Sequence, residues 1–489
     1  MKTETEERGK IVNDEEENNE NGAEEKNENG EINETDEESA DATKKQSTKK
    51  QSFFKRKGAK RAVCALGCAA VVTGAFFGGF FTYKATLPKQ INSLLWAKER
   101  IQSDYYEEIS DEEFYSAVFF GVNSLLDDYS WYMTEEDYIR AQHQSAGEYS
   151  GTGLYFSIQR EGENERLFIA CVAGGSPAEE AGIREGSRVT GFGASETDIT
   201  ESENFEAFYT FVSSRKTNED FYLRELCYPY GESDARIVKL HKADFIENYV
   251  FYRTDASSYV YLGEDAEETE KGAPLTSLPH DAAYIRLTQF NGNAAAEFDG
   301  AMARFKADGK KRLVLDLRDN GGGDMDILRS IASYFCKGAT KGKPAVAKAV
   351  DRNGKEYVFN AKSNLYDDYF SAGSKVYVLA DSGTASASEC LMGCMLDYGC
   401  IDYENICLSY RQGKAKTYGK GIMQTTRTRY LWTSEAIKLT TATICWPLSG
   451  TCIHGVGITD ENGAKTVEEN YSADGEISAA LSALKVTLP

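Results

Sequence analysis

The alternation of apolar and polar positions divides the chain into unlike stretches. Residues 1–43 contain almost no apolar side chain, whereas AVCALGCAAVVTGAFFGGFFTY (62–83) contains no charge. Over 89–126 apolar residues recur at helical spacing, which predicts two helices with Asp111 capping the second. A turn over 127–134 then leads to a further short helix. From about 147 the pattern changes to short apolar runs separated by glycine. GTGLYFSIQ, RLFIACVAG, RVTGFGA, FYLRELCY and ARIVKLHK predict strands, with a short helix in SPAEEAGI and another near 203–214. From about 281 strands and helices alternate through AAYIRLTQF, NAAAEFDGAMARFKADG, KRLVLDL and DMDILRSIASYFC, the pattern of a βαβ core with a partly parallel sheet. Residues 254–280 between these regions are acidic and predict an irregular linker. SADGEISAALSALKVTLP predicts a terminal helix.

Charge adds a direction to this order. Residues 1–43 hold 17 acidic and 4 basic residues, a composition too polar to offset chain entropy by burial, so a disordered tail is expected. Residues 44–61 hold 9 basic and no acidic residues. The 22 uncharged residues that follow are long enough to span a bilayer as one helix. A basic cluster on the N-terminal side alone predicts a cytoplasmic N-terminus and an extracytoplasmic remainder. The formal charge of −23 excludes nucleic acid as an expected partner. Of 11 cysteines, two lie in the apolar stretch; Cys445 and Cys452 flank WPLSGT and could staple a turn, and Cys400 and Cys407 flank another short segment. No cysteine or histidine spacing calls for a metal.

The chemistry centres on LADSGTASASECLMG (379–393), where a strand-like SKVYVLA runs into a helical apolar stripe. SASE (386–389) fits a helix-capping box, with Ser386 as cap and Glu389 three residues on. The same strand-to-helix turn also exposes a side chain, and free N–H groups at a helix start can stabilise an oxyanion. A base is the missing part, and with four histidines in the chain, only His454 falls near this region. A lysine serves if its pKa falls from about 10.4 towards 7, which burial can cause. Lys420, between two glycines in TYGKGIMQ, is such a candidate, and Gln424 lies four residues further on. The triple glycine of VLDLRDNGGGDMD (314–326) offers exposed backbone N–H groups, and no nucleotide-loop lysine follows it.

Together these pieces resemble the carboxyl-terminal processing (tail-specific) serine peptidases, which use a Ser/Lys dyad. The resemblance is carried by LLDDYSWYMTEEDY (125–138), GEYSGTGLYFSI with GGSPAEEAGIREGSRV (174–189), DLRDNGGG (316–323), TASASE (384–389), YGKG with Gln424, and IKLTTATICWPLSG (437–450). It spans roughly residues 90–465. It implies an α+β multidomain chain: tail 1–61, transmembrane helix 62–83, helical region 89–145, a PDZ β-barrel-like domain 147–245, an α/β protease core 246–464 and a helical end 465–489.

By position the resemblance makes Ser386 the nucleophile, Lys420 the general base and Gln424 the residue orienting it. The N–H groups of Ala387 and of Gly322, with Gly323 as its neighbour, become the oxyanion donors. The loop Ser150, Gly151, Thr152, Gly153 and Leu154 becomes the receptor of a substrate's C-terminal carboxylate. Two departures stand out: Gly321 sits where relatives often have proline, and CIDYENICLSYRQGKAKT (400–417) lengthens the segment between nucleophile and base. Lys414 restores part of the usual spacing but lacks the flanking glycines and the following glutamine. The expected function is a membrane-anchored, extracytoplasmic serine endopeptidase of a bacterial-type cell membrane. It needs no cofactor or metal, takes proteins with accessible C-terminal tails and, as the resemblance implies, dimerises through terminal helices. The alternative is a catalytically inactive PDZ scaffold on the same fold.

Overall fold

The computed structural model describes residues 87–161, 164–340, 342–411, 413–429, 434–468 and 474–486. The predicted tail and the predicted membrane helix 62–83 therefore lie outside the described residues. Among the described residues no helix is long and apolar enough to cross a membrane. The described residues fall in two compact units, 87–124 and 125–486.

The smaller unit consists of the helices Lys89–Asp104 and Asp111–Asn123. The second is capped by Ser110, not by Asp111. Ser110 Oγ accepts the Glu113 N–H at 3.1 Å and Glu113 Oε2 accepts the Ser110 N–H at 2.8 Å, a complete capping box. Asp111 is thereby the first helical residue, and its carboxylate meets Lys98 Nζ at 2.7 Å instead.

The larger unit is built on an eight-stranded sheet. Its five consecutive parallel strands are Ala282–Leu287, Arg312–Asp316, Lys375–Ala380, Ile406–Ser409 and Lys465–Val467. The inner ones are near-continuous apolar runs because both faces are covered. Ala283, Ile285, Leu313, Leu315 and Val378 face the helices Ala294–Ala307, Met325–Ala332 and Ala387–Asp397. Ala282, Tyr284, Val314 and Leu379 face Ile477, Ala480 and Leu481 of the helix Gly475–Ala483.

Three further strands extend the sheet antiparallel: Val250–Arg253, Ser258–Leu262 and Glu267–Glu270. The last two lie within the expected linker 254–280, which is thus an ordered hairpin of the core sheet. Tyr261, Leu275 and Leu278, each 1% exposed, anchor it despite its acidic turn. The extra segment 400–417 also contributes structure, since the fully buried strand Ile406–Ser409 comes from it. A second sheet, of five strands, includes Ile422–Thr428 and Ala436–Cys445. Its edge strand Trp131–Met133 arises where a turn is expected and pairs with Lys438–Ala436.

Residues 148–246 hold a six-stranded sheet and a two-stranded one, Glu148–Gly151 with Ala243–Ile246. Its helix Phe205–Ser213 packs Phe208 against Phe192 and Phe156.

Candidate active site

Arg312–Asp316 and Lys375–Ala380 are parallel neighbours, with Asp316 opposite Leu379. Parallel pairing delivers the loops that follow them to the same edge of the sheet, the edge where open α/β sheets bind ligands. The glycine loop and the serine turn therefore meet. Asp381 Oδ1 accepts the Asp319 N–H at 2.9 Å, Asn320 O accepts the Ala385 N–H at 2.9 Å, and Thr384 Oγ1 donates to Leu317 O at 2.8 Å. A Cβ on Gly383 would come within 2.8 Å of Asp319 Cα, so glycine permits the close approach.

Ser386 stands between the strand and the helix Ala387–Asp397 with φ +56° and ψ −114°. A non-glycine residue rarely takes a positive φ, and the helix and loop around it must hold this strain. In this conformation its hydroxyl makes no cap hydrogen bond to the helix. Its N–H donates to Glu389 Oε2 at 3.0 Å, which is the glutamate half of the expected box.

Glu389 does more than close that turn. It is 0% exposed, and its two oxygens accept four donors. Oε2 also takes the Lys420 N–H at 2.9 Å, and Oε1 takes Thr417 Oγ1 at 2.6 Å and the Gly419 N–H at 2.8 Å. Burial raises its pKa, and these bonds oppose the rise. The loop bearing Lys420 is thus stitched to the turn bearing Ser386 through one carboxylate. Sequence spacing shows Glu389 as a capping residue; its hold on residues 417–420 is a tertiary contact without a local signal.

Lys420 is pushed down to about 8 by burial, against the attraction of Asp127 and Glu389. Its ammonium lies 4.6 Å from the centroid of the Tyr129 ring, and the Tyr129 hydroxyl donates to that of Tyr418 at 2.8 Å. Asp127 and Tyr129 are surroundings of Lys420 that sequence reasoning misses, since nearly 300 residues separate them from it. Lys414 is exposed in a tight reversal, with its N–H and C=O both bonded to Arg411 at 3.0 Å. Among the described residues no hydrogen bond joins Gln424 to Lys420. Gln424 Nε2 donates to Thr440 Oγ1 at 3.1 Å, because Gln424 and Thr440 face each other across paired strands.

Of the expected oxyanion donors, Gly322 is the one whose N–H is already used: it donates to Asn320 Oδ1 at 2.9 Å. The N–H groups of Ala387 and Gly323 have no acceptor among the described residues. Gly322 is still pressed against the turn, since a Cβ there would sit 2.8 Å from both Ala387 N and Ser386 Cβ. Its contribution is close approach and its φ of +102°.

Ser150 and Gly151 end the strand Glu148–Gly151, and Leu154 begins the strand Leu154–Glu161. Between them Thr152 O accepts the Ala178 N–H and Gly153 O accepts the Ala173 N–H, both at 2.9 Å. One cleft of about 2790 Å³ is lined by Leu154, Phe156, Phe208, Gly323, Ser386 and Lys420. The expected peptide-receiving loop and the serine–lysine turn therefore open on a common space.

Beneath the serine turn lies a buried charge network. Glu476 receives Arg318 Nη1 at 2.6 Å and Arg411 Nη1 at 2.9 Å; burial would raise its pKa, but the two guanidinium groups hold it down to about 2. Arg411 also reaches Asp381 at 3.3 Å, which connects the terminal helix to the serine turn. Among the described residues no cluster of three or more His, Cys, Asp or Glu side chains is placed to hold a metal. All nine described cysteines are free thiols.

Parts of the chain are similar to known proteins. Residues 281–462 match the model of peptidase family S41. A probable CtpA-like serine protease of Staphylococcus aureus is 27% identical over 369 residues, covering 73% of this chain and 61% of that protein. A protein of the same description from Staphylococcus saprophyticus is 25% identical over 445 residues, covering 89% and 78%. The chain thus spans about three fifths of the length of the Staphylococcus aureus relatives. Among solved structures, a photosystem II D1 C-terminal processing protease aligns with TM-score 0.44 and 21% identity, over 76% of this chain and 86% of that one. The segment that matches the family model contains the glycine loop, the Ser386 turn and Lys420.

Proposed function

We propose that the chain is a serine endopeptidase in which Ser386 attacks the peptide carbonyl and Lys420 is the base. The observation that carries this reading is the shared carboxylate of Glu389, which joins the strained Ser386 turn to a buried lysine whose pKa is about 8. In the neutral state Lys420 takes the proton of Ser386 Oγ as the serine oxygen bonds to the carbonyl carbon. The tetrahedral oxyanion is met by the N–H groups of Ala387 and Gly323, the amine leaves with a proton, and water resolves the acyl-enzyme.

Substrate tails dock on residues 147–245, with the loop Ser150–Leu154 taking the terminal carboxylate and the groove of Leu154, Phe156 and Phe208 taking an apolar side chain. The uncharged segment 62–83 behind a basic cluster supports membrane anchoring with the catalytic part outside the cytoplasm. The test is incubation of the full chain with an unstructured protein ending in apolar residues. Cleavage by the wild type, lost in Ser386→Ala and Lys420→Ala and kept in Lys414→Ala, is expected. Binding without cleavage by the wild type would establish the scaffold instead.

A further inference from the structure

The loop after the strand Ala436–Cys445 carries two thiols that the proposed reaction leaves unused. The Trp446 N–H donates to Thr451 O at 2.9 Å and the Gly450 N–H to Trp446 O at 3.2 Å, folding the loop back on itself. Cys445 precedes Trp446 and Cys452 follows Thr451, so the two cysteines occupy the positions next to this bonded pair on the two arms of the fold-back. Cys452 is exposed and Cys445 half-buried, so the pair is open to a small reagent.

This loop forms the wall behind Lys420. Cys452 Sγ lies 3.8 Å from Gly421 O, the Gly455 N–H donates to Gly419 O at 2.8 Å, and the Thr417 N–H donates to Ile458 O at 2.9 Å. There is no slack between the two segments: a Cβ on Gly421 would come within 2.7 Å of His454 N. Whatever ties Cys452 down also ties down residues 417–421.

We propose that Cys445 and Cys452 are a reversible disulfide site, oxidised by small disulfide compounds, whose closure clamps loop 446–458 onto the back of the Lys420 segment. Cys452 enters first as thiolate and attacks one sulfur of the reagent, breaking its S–S bond and releasing one thiol. Cys445 then attacks Cys452 Sγ and expels the second thiol. The protein thiols lose two electrons and two protons in all, and both pass to the reagent, which becomes two thiols. Burial, with Cys452 adding to it, raises the Cys445 pKa, consistent with Cys452 being the entering nucleophile. The other close pair, Cys336 and Cys394 at 3.8 Å, is buried in the core and shielded from such a reagent.

Trypsin cuts after Lys438 and Lys465, so Cys445 and Cys452 share one peptide, 439–465. The full chain is treated with oxidised glutathione, alkylated, digested without reduction and weighed. Peptide 439–465 lighter by two hydrogens, restored by dithiothreitol, is the expected result. The melting midpoint of the oxidised wild type should rise by roughly 5 °C, and Cys445→Ser and Cys452→Ser should show no rise. Peptide 439–465 alkylated at both cysteines, holding glutathione on Cys452 alone, or crosslinked to a different cysteine peptide would overturn the proposal. The mass shift is read equally in Ser386→Ala, so its outcome is separate from the fate of the peptidase assignment.

Discussion

The backbone N–H groups of Ser386 and Lys420 end on the same oxygen, Glu389 Oε2, at 3.0 and 2.9 Å. Glu389 is offered four donors and no acceptor, which only a carboxylate satisfies on both oxygens. In Glu389→Gln the amide NH2 faces two of those donors. The variant should lose about 3 kcal/mol of stability, measured by denaturant unfolding. At temperatures where it stays folded, kcat/KM should fall at least about tenfold. Full activity in a folded Glu389→Gln protein would show that the shared carboxylate is dispensable.

Lys420 sets the expected pH profile. In the proposed mechanism the amine holds a proton below about pH 8 and cannot accept the one from Ser386, so log kcat/KM should climb with unit slope to a midpoint near pH 8. Asp127 stabilises the charged lysine. Asp127→Asn should therefore move this acid limb to lower pH, and the shift should shrink as salt is added because Asp127 is exposed. An unmoved limb at low salt would remove Asp127 from the electrostatics of the base.

The glycine loop separates two roles that its repeated residue type conceals. Gly322 has no room for a Cβ beside Ser386 and Ala387 and takes a φ of +102°, whereas nothing lies within 4 Å of a Cβ on Gly321. Gly322→Ala should lower kcat at least about 100-fold by displacing the serine turn and the donors beside it. Gly321→Ala should retain wild-type kcat in the same peptidase assay. Equal losses in both would mean that the loop acts through mobility and not through contact.

What could be read from the sequence was local. A strand turning into a helix at Ser386, glycines around Lys420 and the βαβ alternation each leave a mark within about a dozen residues. Contacts across the chain leave none, so the bonds of Glu389 to residues 417–420 and the nearness of Tyr129 to Lys420 emerge only in three dimensions. The hairpin Ser258–Glu270 was obscured by its own composition. Its acidic turn and edge strand outweigh the short run in which the neighbours Val260 and Tyr261 are both buried. Trp131–Met133 is too short to carry a period at all. The use of the Gly322 N–H by Asn320 and the turn of Gln424 towards Thr440 are matters of side-chain direction, which spacing does not encode.

A buried carboxylate outside the serine turn gives the chain a pH-dependent stability of its own. Glu297 is fully buried; Oε2 accepts the N–H groups of Tyr249 and Val250 at 2.7 and 2.9 Å, and Oε1 has no partner among the described residues. Burial raises its pKa to about 7, with nearby Glu247 adding to the rise against those two bonds. An unfolded glutamate titrates near 4.3, so between about pH 4 and 7 the folded chain binds the proton that the unfolded chain has released. The stabilisation is complete below the unfolded value and is lost as pH rises through 7. Glu297→Gln keeps an oxygen for both N–H groups and cannot ionise. Its melting temperature should fall less than that of the wild type between pH 5 and pH 8, leaving the variant the more stable of the two at pH 8. Parallel melting curves for the two proteins across that range would show that Glu297 does not titrate there.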